Sequence, residues 1–152
     1  MTLKIYQSLN EFKLSKKTIV TLGTFDGVHL GHTAILDKIC NIAKQENLES
    51  VLLTFFPHPR FVVNNDEEIK LLNTMSEKAI LLGQKGVQNF IIHPFDKLFS
   101  ELSPREFVEK VLVNQLNIQK IIIGYDHKFG KNRAADFNDL IAFGKEFGFE
   151  VE

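Results

Sequence analysis

The chain has 152 residues, which is enough for one domain with a sizeable hydrophobic core. Its 18 basic and 19 acidic residues give a net charge of −1, which excludes a strong field for nucleic acid or an anionic membrane. No apolar run approaches the roughly 20 residues of a membrane span, and the N-terminus lacks the apolar core of a signal peptide. We therefore expect a cytoplasmic protein that binds any anion through a local site.

Strand and helix patterns alternate along the chain. Apolar and β-branched runs predict strands at Thr18–Leu22, Val51–Phe56, Asn89–His93 and Lys120–Gly124, with Phe149–Glu152 resembling the start of another. Apolar residues at helical spacing predict helices at Leu30–Gln45, Met75–Lys85, Pro104–Leu116 and Asp136–Phe147. This alternation predicts an α/β fold: a Rossmann-like, doubly wound parallel sheet in a three-layer α/β/α arrangement, with ligands beyond the carboxyl ends of the strands.

Helix boundaries have their own local signals. Ser103 precedes Pro104, so a capping side chain and a first-turn proline predict the start of a helix. Asp136 followed by Asp139 predicts another helix start. The polar, acidic segment Asn64–Lys70 has no core pattern and predicts a surface loop.

The segment Thr21–His32 reads Thr-Leu-Gly-Thr-Phe-Asp-Gly-Val-His-Leu-Gly-His and lies where the first predicted strand passes into a helix. A helix N-terminus presents free N–H groups and a dipole that attract phosphate. His29 and His32, three residues apart, share one face of the first turn. Because a histidine can be cationic or donate a hydrogen bond when neutral, the segment predicts a nucleotide phosphate site.

Further motifs follow other predicted strands. Thr54–Pro59 reads Thr-Phe-Phe-Pro-His-Pro, and Gly124–Arg133 reads Gly-Tyr-Asp-His-Lys-Phe-Gly-x-x-Arg. Phe95–Val108 adds Phe-x-x-x-Phe-x-x-Leu-Ser-Pro-x-x-Phe-Val. With Gly23–His32, these motifs resemble the nucleotidylyltransferase superfamily and, within it, the FMN adenylyltransferase (FAD synthetase) module of bacterial bifunctional riboflavin kinase/FAD synthetases. The resemblance extends over most of the chain.

The resemblance implies transfer of AMP from ATP to FMN, giving FAD and pyrophosphate, with Mg²⁺ accompanying ATP. It implies that three residues are catalytic, through contacts to the phosphates: His29, His32 and Asp126. It places ATP against the first motif, at Gly23, Thr24, Phe25, Asp26, Gly27 and Gly31. It places the flavin against apolar residues, namely Phe55, Pro57, Pro59, Phe107 and Phe129.

Several of these residues also have a plain structural interpretation. Asp26 could cap the helix, and Asp126 could be an N-cap or turn acid. Pro57 and Pro59 would rigidify any loop without a ligand. Lys128 and Arg133 could bind phosphate or be solvated charges. The alternatives remain open at the level of sequence.

The chain departs from the family pattern at two positions. His127 replaces a common aromatic residue, and Ala135 stands where glycine usually precedes the acid. The family also carries a Ser/Thr-rich motif ending in Ile-Arg after the last strand, followed by a riboflavin kinase domain, and both are absent from this sequence. We therefore expect residues 1–152 to be a C-terminally incomplete FMN adenylyltransferase domain, with the kinase domain in the full-length protein.

Other interpretations compete with this one. His29, His32 and His58 could form a metal site, but zinc sites usually include Cys or acidic companions. Cys40, the only cysteine, is predicted at a buried helix position. The chain could also transfer a nucleotide to another phosphorylated acceptor, or bind nucleotide or flavin without catalysis.

Overall fold

The computed structural model describes residues 3–13, 16–22, 30–55, 79–94, 97–123 and 135–152, with the backbone alone for residues 30–33 and 55. The strands are β1 (Lys4–Tyr6), β2 (Thr18–Leu22), β3 (Glu49–Phe55), β4 (Asn89–His93), β5 (Ile118–Ile121) and β6 (Glu150–Val151). The helices are α1 (Leu30–Glu46), α2 (79–85), α3 (Lys97–Ser100), α4 (Pro104–Glu106), a π-helix (Phe107–Gln115) and α5 (Phe137–Phe147). A short 3-10 helix spans Leu9–Glu11.

The strands form one sheet in the order β1-β4-β3-β2-β5-β6, and every described pair is parallel. From the central strand β2, the chain passes outward to β3 and β4 on one side. It then returns to build β5 and β6 on the other side. The direction of winding therefore reverses between β2 and β5, which confirms the predicted doubly wound sheet and defines its topological switch point.

Alternate residues of the central strands belong to two different cores, one on each face of the sheet. Ile19, Leu52 and Phe90 lie on the face covered by α1 and α2. On the opposite face, the π-helix and α5 cover a second set: Val20, Leu22, Val51, Leu53, Ile91 and Ile121. This alternation is the period-2 pattern of a strand buried on both sides. It confirms the three-layer α/β/α arrangement.

The predicted strand bounds agree closely for β2 and β4 and less well for β5. A strand is predicted at Lys120–Gly124, but β5 spans Ile118–Ile121. Its register against β2 shifts between Thr18 and Ile19. Such a shift is typical of a β-bulge, which a composition pattern does not locate. Ladder-like bonding continues beyond the strand, since the N–H of Ile122 donates to the Val20 carbonyl at 2.9 Å. The three-residue edge strand β1 was not predicted, because it is too short to display alternation.

Both predicted helix starts are confirmed as capping boxes. At α4, the Ser103 hydroxyl accepts from the N–H of Glu106 at 3.1 Å, and the Glu106 carboxylate accepts from the N–H of Ser103 at 3.2 Å. Asp136 and Asp139 form the same reciprocal pair at the start of α5. Side chains thus satisfy N–H groups that a helix start leaves without a partner.

The helix predicted at Pro104–Leu116 is α-helical only in its first turn and continues as a π-helix over Phe107–Gln115. At its end, the N–H of Leu116 donates to the carbonyl of Val111 at 2.9 Å, five residues earlier. The buried positions come as the neighbouring pairs Phe107/Val108 and Val111/Leu112. This spacing of four residues places both pairs on one face of the helix, toward the core.

The last helix packs closely onto the chain that follows it. Gly148 ends α5 with φ of 87°, a left-handed conformation that favours glycine. A Cβ at Gly144 would lie 2.6 Å from the carbonyl oxygen of Phe149, so only glycine permits this approach. Strand β6 at Glu150–Val151 confirms the strand expected there.

Cys40 is buried in α1 as predicted, and burial raises the pKa of its thiol. Within the described ranges, no helix is long and apolar enough to cross a membrane.

Replacing the capping residue tests the start of α4. We expect Ser103→Ala to lower the free energy of unfolding by about 1 kcal/mol, because the N–H of Glu106 loses its acceptor. Ser8→Ala is a matched control, since Ser8 precedes the 3-10 helix without a side-chain capping bond. Urea unfolding followed by circular dichroism measures both variants. Equal stabilities for the two would contradict the role given to Ser103.

The same capping box predicts an acid dependence of stability. Hydrogen bonds from Ser103, with a smaller contribution from Lys110, lower the pKa of the Glu106 carboxyl. A lowered folded-state pKa stabilises the fold above the ordinary glutamate pKa, and this contribution is lost as pH falls through the lowered value. We expect Glu106→Gln to lose less stability than wild type between about pH 6 and pH 3. Thermal melts across this range measure the difference, and parallel curves would contradict it.

Candidate functional site

Three of the sequence motifs follow three neighbouring strands. In the sheet, β2 lies between β3 and β5, and the strands are parallel, so their carboxyl ends share one edge. The first motif follows Leu22, the second begins at the end of β3, and the third follows Ile123. This edge includes the switch point between β2 and β5, where open α/β sheets bind ligands.

Most of the predicted site residues lie outside the described part of the chain. These are Gly23, Thr24, Phe25, Asp26, Gly27, His29, Pro57, Pro59, Asp126 and Phe129. Gly31 and His32 belong to the first turn of α1, where only the backbone is described. Phe55 is the last residue of β3, also with only its backbone described. Phe107 alone is described with its side chain.

Buried polar side chains at the amino ends of the strands all have partners. The Thr18 hydroxyl donates to the Leu116 carbonyl at 2.7 Å. The Ser50 hydroxyl accepts from the N–H of Gln88 at 2.9 Å, and the Asn89 amide donates to the Ser50 carbonyl at 3.1 Å. This end of the sheet is therefore closed by internal hydrogen bonds, as buried polar groups require.

Toward the carboxyl ends, two buried hydroxyls differ from this pattern. Thr21 and Thr54 are each 1% exposed, and their Oγ1 atoms are the buried side-chain atoms without a hydrogen-bond partner in the described part of the chain. Strand alternation places both on the face of the sheet that α1 covers. An unsatisfied buried hydroxyl costs about 1–3 kcal/mol. The sheet thus keeps two costly polar groups near the edge that carries the motifs.

A cluster of rings lies on the other face at the same edge. His93, the last residue of β4, has its ring centroid 4.8 Å from that of Phe99, and Phe99 meets Phe107 edge to face at 6.1 Å. Phe107 is 4% exposed and belongs to the core beneath the π-helix. Phe55 is the register partner of His93 across β3 and β4. Two positions predicted to bind flavin therefore lie near one another along this edge.

The described charged groups do not form a further site here. Lys120 is held by Glu150 at 3.0 Å and Glu46 at 3.3 Å, and its hydrogen bond to Glu150 is the main cause that raises the pKa of its ammonium group. No group of three His, Cys, Asp or Glu side chains among the described residues could hold a metal ion. The alternative metal site of His29, His32 and His58 lies outside these residues.

Sequence reasoning gave no role to Thr21, Thr54 or His93. A signal existed for the threonines, because a polar residue within a run that is buried on both faces requires a partner. For His93, the sequence offered no signal: only the fold brings Phe99 and Phe107 against the end of β4.

Solved structures share the fold at low sequence identity. A macrolide-efflux protein from Streptococcus pneumoniae superposes with a TM-score of 0.70 at 22% identity, over 99% of this chain and 57% of that one. A universal stress protein from Archaeoglobus fulgidus gives 0.53 at 16% identity, over 89% and 90%. At these identities the similarity establishes the fold alone, a Rossmann-like α/β sheet.

Several relatives found by sequence have higher identity to this chain than these solved structures have. Proteins named bifunctional riboflavin kinase/FMN adenylyltransferase match at 34% identity in Buchnera aphidicola subsp. Schizaphis graminum, 37% in Listeria monocytogenes and 32% in Escherichia coli K12. The matches cover 91%, 88% and 88% of this chain but only 45%, 42% and 42% of the relatives. The chain thus spans less than half the length of these relatives. The sequence profile of the FAD synthetase family matches residues 11–152, so the chain belongs to the FAD synthetase family.

Proposed function

We propose that the chain transfers the AMP group of ATP to FMN, forming FAD and releasing pyrophosphate. The observation that carries this proposal is the adjacency of β3, β2 and β5, whose carboxyl ends precede the three motifs at the switch point. Membership of the FAD synthetase family supports the choice of reaction, as do relatives named for FMN adenylyltransferase activity.

The reaction needs positioning and charge stabilisation more than covalent help from the protein. An oxygen of the FMN phosphate attacks the α-phosphorus of ATP, and the bond from that phosphorus to the bridging oxygen breaks as pyrophosphate leaves. In this proposal the N-terminal N–H groups of α1 hold the phosphates. His29 and His32 donate hydrogen bonds to the oxygens on which charge accumulates.

The first motif would receive the nucleotide. Gly23 and Gly27 would allow close approach of the backbone to ATP, with Thr24, Phe25 and Asp26 beside them and the adenine near Gly31. The buried hydroxyls of Thr21 and Thr54 lie on the face covered by α1 near this motif, without a partner among the described residues. At 1% exposure they lie below the surface that a nucleotide would contact.

Magnesium enters the proposal with ATP. Mg²⁺ prefers oxygen ligands and keeps several waters, so phosphate oxygens and water would hold most of its coordination positions. Asp126, in the third motif, would orient this ion or the phosphates directly. When bound, Mg²⁺ neutralises phosphate charge during the transfer.

The flavin would lie against the apolar residues of the edge. Phe107 belongs to the described ring cluster, and Phe55 is in register with His93 in that cluster. Pro57, Pro59 and Phe129 would complete rigid apolar walls of the kind that a flat ring system needs.

A riboflavin kinase domain is also part of the proposal. The relatives are named for both activities, and this chain matches less than half of their length. We propose that the full-length protein joins this domain to a kinase that supplies FMN. Sequencing the reading frame beyond Glu152 tests this: a stop codon there would contradict it.

Incubation of the chain with ATP, Mg²⁺ and FMN tests the activity. We expect FAD and pyrophosphate in equal amounts, measured by chromatography and a coupled phosphate assay. His29→Gln and His32→Gln should each lower kcat by about 10²–10³-fold, with little change in KM, because they act in the transition state. Gln84→Ala, at an exposed position of α2, is the control.

Flavin fluorescence separates the failures of this test. If the chain neither forms FAD nor binds FMN, the proposal is overturned. FMN binding without pyrophosphate release, in the presence of ATP, would replace it with a binding module that lacks catalysis.

Isosteric removal of the two hydroxyls tests whether they lack partners. We expect Thr21→Val and Thr54→Val each to leave the melting temperature equal or higher, because an unsatisfied hydroxyl is removed. Thr18→Val is the matched control: its hydroxyl has a protein partner, so its removal should lower the melting temperature. Thermal melts measure all three variants. A lower melting temperature for both test variants would contradict the absence of partners.

A further inference from the structure

The ring cluster at the end of β4 is tied to a distant part of the chain. The N–H of Leu9, in the 3-10 helix, donates to Nδ1 of His93 at 3.0 Å. The carbonyl of the same residue accepts from Nε2 of Gln115, at the end of the π-helix, at 2.6 Å. Leu9 is 4% exposed, whereas His93 and Gln115 are half-buried, so both bonds lie at the margin of the core. The 3-10 helix is thereby held between β4 and the π-helix.

The bond from Leu9 constrains the orientation of the imidazole. Nδ1 must present its lone pair to the Leu9 N–H, so the ring plane follows the position of that N–H. The His93 ring lies against Phe99 with an interplanar angle of 55°, and Phe99 meets Phe107 at 87°. In a close-packed core, the orientation of one ring restricts the next.

Strand register connects this chain of rings to the proposed flavin site. His93 pairs with Phe55 across β3 and β4, at the carboxyl edge of the sheet. Phe107 forms the other end of the ring series. Phe55, which is predicted to bind flavin, therefore lies next to His93, the first member of the series. Phe107, also predicted to bind flavin, is the last member.

We propose that His93 is a positioning residue for the flavin: held by the Leu9 N–H, its imidazole sets Phe99 and, through it, Phe107, so that FMN affinity depends on this anchored ring. The inference rests on the proposed function, since it deepens the description of the same site. His93 acts through Phe99 and Phe107 and takes no part in the transfer step.

Two substitutions at His93 remove the hydrogen-bond acceptor and the aromatic ring one at a time. His93→Phe keeps an aromatic ring against Phe99 but has no acceptor for the Leu9 N–H. His93→Asn keeps an acceptor oxygen but has no ring. We expect both to raise the Kd and KM for FMN by about tenfold, while kcat and the KM for ATP stay within about twofold. Loss of general structure would instead lower the melting temperature and impair both substrates together.

A third variant keeps the test informative if the histidine variants fold poorly. Gln115→Met leaves His93 intact and removes only the donor to the Leu9 carbonyl. We expect a smaller rise in the KM for FMN, again with kcat and the KM for ATP unchanged. Glu109→Gln, at an exposed position of the same π-helix, is the control.

Fluorescence titration of FMN and steady-state kinetics distinguish the possible failures. If wild type neither binds FMN nor forms FAD, the proposed function fails. If wild type does both and all three variants retain wild-type KM for FMN, the inference about His93 is overturned while the function stands. A selective rise in the KM for FMN supports it.

Discussion

Complete burial of the central strand is the constraint on which the rest of this structure depends. Every residue of β2 is buried, and the strand pairs with β3 on one side and β5 on the other. A strand covered on both faces and both edges needs apolar side chains in both directions, as Ile19 and Val20 provide to the two cores. Because parallel neighbours require crossover helices, the chain winds outward on both sides, and this winding creates the switch point.

The two ends of the sheet differ in whether their buried polar side chains have hydrogen-bond partners. At the amino ends, Thr18, Ser50 and Asn89 form hydrogen bonds within the protein. Toward the carboxyl ends, the hydroxyls of Thr21 and Thr54 have no partner among the described residues. A fold tolerates such a cost most readily where it serves function. The difference between the ends agrees with the position of the motifs at the carboxyl edge.

The opposite face of this edge is apolar and aromatic. There the ring series from His93 through Phe99 to Phe107 lies beneath the edge, and the Leu9 backbone anchors it between two elements. A phosphate site and a flat apolar wall are the two environments that the proposed transfer of AMP from ATP to FMN requires. Each face of the sheet can supply one of them because alternate residues of a strand point to opposite sides.

Local features could be predicted from the sequence because they depend on residues close together in the chain. These include the strands at β2 and β4, the caps at Ser103 and Asp136, the burial of Cys40 and the motifs that together resemble the family. Features that depend on packing between distant segments could not be predicted. The register shift between β2 and β5 and the edge strand β1 depend on pairing with distant strands, and the His93 anchor joins residues 84 positions apart. Sequence patterns record which residues must be buried, but only the tertiary structure decides which of them meet.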